Sequence, residues 1–270
     1  DALMPGVRLD AARLAVGQFH EVVLIPGVAA VRISRRARSA EALPRRTQVL
    51  CRLAAVGLPF AVPEPLTEVT RFGERAAVVH SWVNGRSHAK GEGSPEQIAA
   101  LLGALREVSV TELADVLGEP HEYAGGHRWA EVMAEEVVPR LPAEFRDEAR
   151  RRLDDALALE PVPPSLVHGD LAGDNVHWDE DGKLVGVLDW DLAQPFDPAI
   201  DAACLAWHGW ENVRAAVDAR TYRRAGVWFG TFGIEQIGAA VLNGEPQDIL
   251  DRFVAGTVAW MQSTADWKLP

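Results

Sequence analysis

With 270 residues, nearly half of them apolar, the chain can bury a substantial core in one large or two small domains. Its formal charge of −12 argues against a nucleic-acid or anionic-membrane partner and suits a cationic one. Cys51 and Cys204 lie far apart in no metal-like spacing and read as reduced core residues of a cytoplasmic protein; no run is long and apolar enough to span a bilayer, and the start has no basic-then-apolar signal pattern.

In chain order, residues 11–16 carry a weak amphipathic helix pattern with Asp10 as a cap. Residues 22–25, the turn Pro26-Gly27 and residues 28–33 form a predicted β-hairpin. In its second strand Val28, Ala30 and Arg32 share one face, and Ala29, Val31 and Ile33 the other. The loop before the hairpin, residues 16–20, has one glycine, Gly17, too few for a glycine-rich phosphate cradle. A helix is expected over 40–56, apolar at Leu43, Val49, Leu50 and Leu53. A strand then starts at 62–66 and another covers 76–80, breaking into Ser81-Trp82-Val83-Asn84-Gly85. Beyond a polar linker, Ser94-Pro95-Glu96-Gln97 opens a helix with a capping-box pattern and proline at its first position; Ile98, Leu101, Leu102, Leu105 and Val108 are its buried face. Helices over 128–141 and 145–159 follow, and Pro161, Pro163 and Pro164 end the second. After Asp201 the spacing predicts helices over 202–210, 220–242 and 247–263.

The stretch 165–191 carries the chemistry. Ser165-Leu166-Val167 breaks at His168-Gly169-Asp170; Asn175 follows five residues later, then Val176-His177-Trp178. A polar turn returns the chain through Leu184 to Leu188 and into Asp189-Trp190-Asp191. Two short apolar strands about an Asp/Gly turn predict a hairpin, whose open ends lie on one side. Asn175 and Asp189 therefore face one volume that Asp170 enters from the preceding loop. This hard-oxygen set suits Mg2+, with a carboxylate left over as a base. Phosphoryl transfer needs that order: an Asp to take the acceptor's proton, then an Asn and an Asp to hold metal beside the nucleotide phosphates. His177 has no assigned role.

These residues resemble the aminoglycoside and macrolide phosphotransferase superfamily. His168-Gly-Asp170-x-x-x-x-Asn175 matches its catalytic loop, Leu188-Asp189-Trp190-Asp191 its metal-binding strand end, and Asp197-Pro-Ala-Ile-Asp201 the Asp-Pro-x-x-Asp that follows. The resemblance implies an α+β, protein-kinase-like two-lobe fold: a small antiparallel β lobe over 1–84, ending in the hinge, and a larger, mostly helical lobe over 85–270 with the catalytic hairpin. It implies Asp170 as catalytic residue, Asn175 and Asp189 as metal ligands, and His168 and Asp201 as structural supports. Ala30-Val31-Arg32 stands where the small lobe carries Ala-x-Lys, so Ala30 would pack on the base and Arg32 reach the phosphates. Backbone groups of His80, Ser81, Trp82 and Val83 would bind the purine, with Leu188 or Val187 beneath it. Arginine for lysine is a departure. So is the helix over 40–56, which offers Arg45-Arg46-Thr47-Gln48 where a glutamate should pair with the strand cation.

Within the superfamily the Leu-Asp-Trp-Asp form, Arg32-Ile33 and an aromatic helical pocket look most like a macrolide 2′-phosphotransferase. That implies GTP (or ATP) as co-substrate, the 2′-hydroxyl of an antibiotic amino sugar as acceptor, and antibiotic resistance as outcome. Trp207, Trp210, Trp228, Phe229 and Phe232 would wall the acceptor pocket. A monomer without nucleic-acid or membrane partners is expected. Two alternatives stay open: a kinase of an aminoglycoside or small metabolite, and an inactive homologue that binds nucleotide or drug without turnover.

Overall fold

The computed structural model describes residues 3–17 and 19–265; Gln18, part of the sequence 16–20 read above as a loop, lies outside the described residues. Five strands form an antiparallel sheet in the order β1-β2-β3-β5-β4: β1 Arg13–Val16, β2 His20–Ile25, β3 Ala29–Ser34, β4 Thr70–Phe72 and β5 Arg75–Ser81. The β2–β3 hairpin is the predicted one, turning at Pro26-Gly27, with Gly27 at φ 73° where an L side chain would be strained. The expected helix over 11–16 is instead the edge strand β1; all four of its residues are exposed, so no buried stripe selects a helix. β4 escaped prediction, being three residues long and mostly exposed. Residues 62–66 form no strand of their own; they run alongside β5, with Leu66 N–H donating to the Val79 carbonyl and Ser81 N–H to Glu64.

Helix α1, Ala37–Val56, joins the two parts of the molecule. Its first half buries Ala40 and Leu43 against Ala76 and Val78 of the sheet. Val49, Leu50 and Leu53 of its second half enter the main core with Ile98, Leu101 and Leu105 of α2 (Pro95–Arg106). Each fully buried aliphatic contributes about 1.5–3 kcal/mol. Cys51, on the outer side of α1, is exposed, contrary to expectation, because the helix turns it away from that stripe; Cys204 is buried. Helix α2 opens at Ser94, whose hydroxyl accepts from Gln97 N–H at 3.3 Å.

The region after α2 is mostly helical. The continuous helix expected over 128–141 is broken: α3 (Trp129–Glu131) passes into a π-helical stretch Val132–Val137 and a 3-10 turn Val138–Arg140. Next come α4 (Ala143–Leu157), β6 (Ser165–Val167), β7 (Val176–Trp178), β8 (Leu184–Val187), β9 (Gln194–Phe196), α5 (Ala199–Cys204), α6 (Trp210–Ala216), α7 (Ala219–Phe229), α8 (Phe232–Leu242) and α9 (Gln247–Ser263). β7 and β8 form the predicted hairpin, while β6 pairs with β9, which the sequence pattern missed. The helix expected over 220–242 is two helices bent by 46° about Gly230-Thr231. No single helix among the described residues is long and apolar enough to cross a membrane.

The hairpin is flanked by the segments on either side of β5. Ala61 N–H donates to Val185 and its carbonyl accepts from Val187, both at 2.9 Å, while Arg86 and Trp178 exchange two bonds at 2.9 Å. Val83 lies on Gly186, where an added Cβ would meet Val83 Cγ1 at 2.2 Å. The missing side chain lets the end of the small sheet sit directly on the strand that ends in Asp189.

Candidate active site

The loop between β6 and β7 is held open by buried groups. Both Asp201 carboxylate oxygens accept backbone N–H bonds, from His168 and Gly169, each at 2.8 Å. His168 is fully buried; its Nδ1 accepts from Asp170 N–H at 3.1 Å and its Nε2 bonds the Leu188 carbonyl at 2.7 Å, which makes Nε2 the protonated nitrogen. Burial lowers His168 to about 4, so it stays neutral. This imidazole ties the residue carrying Asp170 to the one before Asp189. Burial pushes Asp201 up to about 7, against the pull of its two N–H donors. Asp201 and His168 thus share one buried hydrogen-bond frame beneath the backbone of residues 168–170.

Asn175 Nδ2 donates to the Asp170 carbonyl and to Asp170 Oδ2, both at 2.9 Å, leaving its Oδ1 available to a cation. Burial, with the Asp189 charge adding to it, raises Asp170 to about 6. Asp189 itself is at φ 55°, a left-handed conformation costly for a non-glycine residue. The turn it makes drops Trp190 inward, its indole N–H on the Val187 carbonyl at 3.0 Å and its ring edge-on to His168 at 4.7 Å. The Asp189 side chain is left 47% exposed. Among the described residues no three His, Cys, Asp or Glu side chains group as a metal cage. One exposed carboxylate and one amide oxygen fit Mg2+ nonetheless, because that ion keeps several waters and takes the rest of its shell from phosphates.

Arg32 reaches this centre from β3. Its Nη2 lies 3.1 Å from Asp189 Oδ1, and its two Nη groups clamp both oxygens of Asp191 at 3.0 and 2.9 Å. Although burial alone would lower it, Asp189 and Asp191 hold Arg32 above its ordinary value. Asp191, equally buried, is held well below the usual carboxylate range by Arg32 and then Arg46 of α1, whose Nη1 sits 2.9 Å from Asp191 Oδ2. Asp191, Arg46 and His20, whose Nδ1 is 3.0 Å from Arg32 Nη2, were not anticipated. The Leu-Asp-Trp-Asp motif contained the only hint, since nothing in its spacing says that both aspartates turn toward one arginine.

At the end of β5, His80 pairs with Ala30, and Ser81 N–H is committed to Glu64, so Trp82 and Val83 lie beyond the strand as the crossing segment. Leu188 is half-buried and Val187 fully buried. His80 points inward, 3% exposed, and burial followed by the Arg32 charge lowers it to about 3. His177 Nδ1 bonds the Asn84 carbonyl at 3.1 Å, a tie between hairpin and linker.

The proposed acceptor aromatics are placed differently from one another. Trp228 is buried, with its indole N–H on Asp197 at 2.7 Å beside Arg224, and its ring against Phe196 and His121. Trp210 meets Tyr222 and Phe229, and Phe229 meets Phe232 and Trp260. Trp207 is exposed at 38% and lies on the linker, its N–H 3.4 Å from the His88 carbonyl. Trp210, Phe229 and Phe232 pack edge-on with their neighbours, the arrangement that sets the positive edge of one ring on the negative face of the next.

Residues 17–237 match the family model described as the phosphotransferase enzyme family, APH. The chain belongs to that family. It is 31% identical to viomycin phosphotransferase of Streptomyces vinaceus, covering 92% of this chain and 93% of that protein. Among solved structures it resembles the GDP and kanamycin complex of an APH(2″) enzyme, with TM-score 0.77 and 18% identity over 97% of this chain and 95% of the other. A macrolide 2′-phosphotransferase type I matches with TM-score 0.70 and 21% identity, over 91% and 90% of the two chains. At those identities the two structures establish the fold, which is the kinase-like one. With the family comes the chemistry: the chain is a small-molecule kinase that phosphorylates a hydroxyl.

Proposed function

We propose that the chain moves the γ-phosphoryl group of a nucleoside triphosphate onto a hydroxyl of a cationic antibiotic, with Asp170 as catalytic residue and Arg32 on the phosphates. The observation that carries this is the single imidazole of His168 joining the Asp170 loop to the Asp189 strand end, with Asn175 hydrogen-bonded to Asp170 and Arg32 to Asp189. Asp170 accepts the hydroxyl proton as the acceptor oxygen bonds to the γ-phosphorus and the bond to the β-phosphate bridging oxygen breaks. Near 6 in the absence of cations, Asp170 is mostly ionised at neutral pH yet basic enough to hold that proton. Asn175 and Asp189 would hold Mg2+, which when bound neutralises charge on the phosphates. Most of the rate then comes from alignment and charge, since the loose transition state asks for little else.

For the acceptor, the long match to viomycin phosphotransferase favours viomycin or a related antibiotic as the first compound to test. Of the three features that favour a macrolide, the Leu-Asp-Trp-Asp form, Arg32-Ile33 and the aromatic pocket, the last is weakened: with Trp228 bonded to Asp197 and Trp210, Phe229 and Phe232 packed together, less aromatic wall is left to face a greasy ring. GTP and ATP are both candidate donors; GDP occupies the APH(2″) neighbour. The test is incubation with Mg2+, GTP or ATP, and a panel of viomycin, aminoglycosides and macrolides, read by mass spectrometry. Gain of one phosphate on viomycin or an aminoglycoside supports the reading. A gain on macrolides alone restores the greasy acceptor, and no gain on any compound rejects the antibiotic assignment.

A further inference from the structure

We propose that Asp191 is the positioning residue that aims Arg32 at the nucleotide phosphates, in place of a helix carboxylate, and that Arg46 of α1 locks it there. The inference rests on the reading of Arg32 as the phosphate-binding cation. A strand cation that must meet phosphate needs a fixed anion behind it, or its long side chain pays for ordering with each binding event. Helix α1 supplies no such anion. Glu41 is exposed, Arg45 turns to Glu122 and the Val116 carbonyl, and the residue of α1 that reaches the site is Arg46.

The two aspartates that touch Arg32 are not equivalent. Asp191 makes a two-point clamp on the guanidinium, and its side chain is only 5% exposed. Asp189 makes one contact, to Nη2, and is 47% exposed. An incoming phosphate can therefore replace Asp189 on Arg32, freeing Asp189, while the clamp to Asp191 persists. Arg46 adds a second guanidinium to Oδ2 of Asp191, and His20 Nδ1 lies 3.0 Å from Arg32 Nη2 and 3.2 Å from Asp191 Oδ2. Two guanidinium groups about one buried carboxylate carry one excess positive charge, which Asp189 balances until a phosphate takes its place on Arg32. The sign of the helix–strand ion pair is thus inverted: the helix gives a cation, and the anion comes from the turn after Asp189. The same turn sets Asp189 and Asp191 together, because Trp190 between them is plugged under His168.

The test is nucleotide binding by calorimetry, with GDP and ADP in the presence of Mg2+, on the wild type, Asp191→Asn, Arg32→Ala and the double variant. Asp191→Asn is expected to weaken nucleotide binding by roughly tenfold to a hundredfold, the range for a lost hydrogen bond between charged groups. In the Arg32→Ala background the same change should add almost nothing, because Asp191 acts through Arg32. Steady-state kinetics should show the nucleotide KM rising with the acceptor KM unchanged. A relocated anion gives a further check: Arg46→Glu combined with Asp191→Asn is expected to bind nucleotide better than Asp191→Asn alone. If Asp191→Asn does not fold, Asp191→Glu keeps the charge but shifts it, and an unchanged nucleotide KM in that variant overturns the proposal. Wild-type binding of nucleotide with Asp191→Asn indistinguishable from it, or an undiminished effect in the Arg32→Ala background, defeats this inference and leaves phosphotransfer standing. A wild type that binds neither nucleotide removes both.

Discussion

Replacing Asp170 by asparagine should produce an enzyme that is nearly inactive and more stable. The amide keeps the shape of the side chain, and its oxygen can still accept from Asn175 Nδ2, so the loop geometry survives. What is lost is the proton acceptor, worth roughly 10²–10⁴ in turnover, or about 3–5 kcal/mol of barrier. What is gained is relief of a buried charge. Asp170 is raised from 3.8 to about 6, so above pH 6 the folded state carries an ionised carboxylate that the unfolded chain holds more easily. That shift corresponds to about 3 kcal/mol at 1.36 kcal/mol per unit, which we halve at the lower bound because the residue still meets water. The variant should therefore melt roughly 3–5 °C above wild type at pH 7.5 without Mg2+. The sign follows from the raised value: the penalty is full above about 6 and gone below 3.8, so the advantage should vanish near pH 4. Thermal melts at the two pH values and a coupled phosphotransfer assay check both halves. A variant that keeps more than a tenth of the turnover, or melts below wild type at pH 7.5, refutes the reasoning.

Three other expectations concern separate parts of the molecule. Asp189→Ala should remove the Mg2+ dependence of nucleotide affinity, and calorimetry with and without Mg2+ that still shows the dependence would take Asp189 out of the metal site. Asp197→Ala strands the buried Arg224 guanidinium and the Trp228 N–H, and should cost about 3–5 kcal/mol of stability by denaturant titration, the range for breaking one side of a buried ion pair. A loss under 1 kcal/mol would mean that water replaces the carboxylate. His80→Leu should alter the pH dependence of stability: His80 is lowered from 6.5 to about 3, so wild type loses stability as pH falls below 6.5 while the unfolded chain takes a proton. Relative to wild type, the variant should thus gain about 2 kcal/mol between pH 7.5 and pH 5, and equal slopes for the two proteins would place His80 in water instead.

The sequence by itself settled what depends on neighbours along the chain. The β2–β3 hairpin was legible because alternation and a Pro-Gly turn are local signals, and the start of α2 because Ser94 bonds a backbone N–H three residues on. That Asp170, Asn175 and Asp189 lie together was legible for a related reason: one loop and one hairpin fix their relative placement within about twenty residues, and Asp201 follows close enough in the chain to reach the same loop. Elements whose identity depends on a distant partner were not. β1 is a strand only because β2 lies beside it, β9 only because β6 does, and the periodicity over 128–141 does not distinguish an α-helix from the π-helical stretch found there. The aromatics after Asp201 advertised a pocket, yet ring size does not say which way a ring will face once helices bend.

Only the tertiary structure decided how Arg32 is held. Its partners stand 157 and 159 residues away, and the helix expected to supply an anion supplies Arg46 instead. A charge pattern read along a chain cannot show that inversion, because the energy of an ion pair depends on distance and burial in space. Both are set by the packing of β3, α1 and the turn at Trp190, and not by any one of them alone.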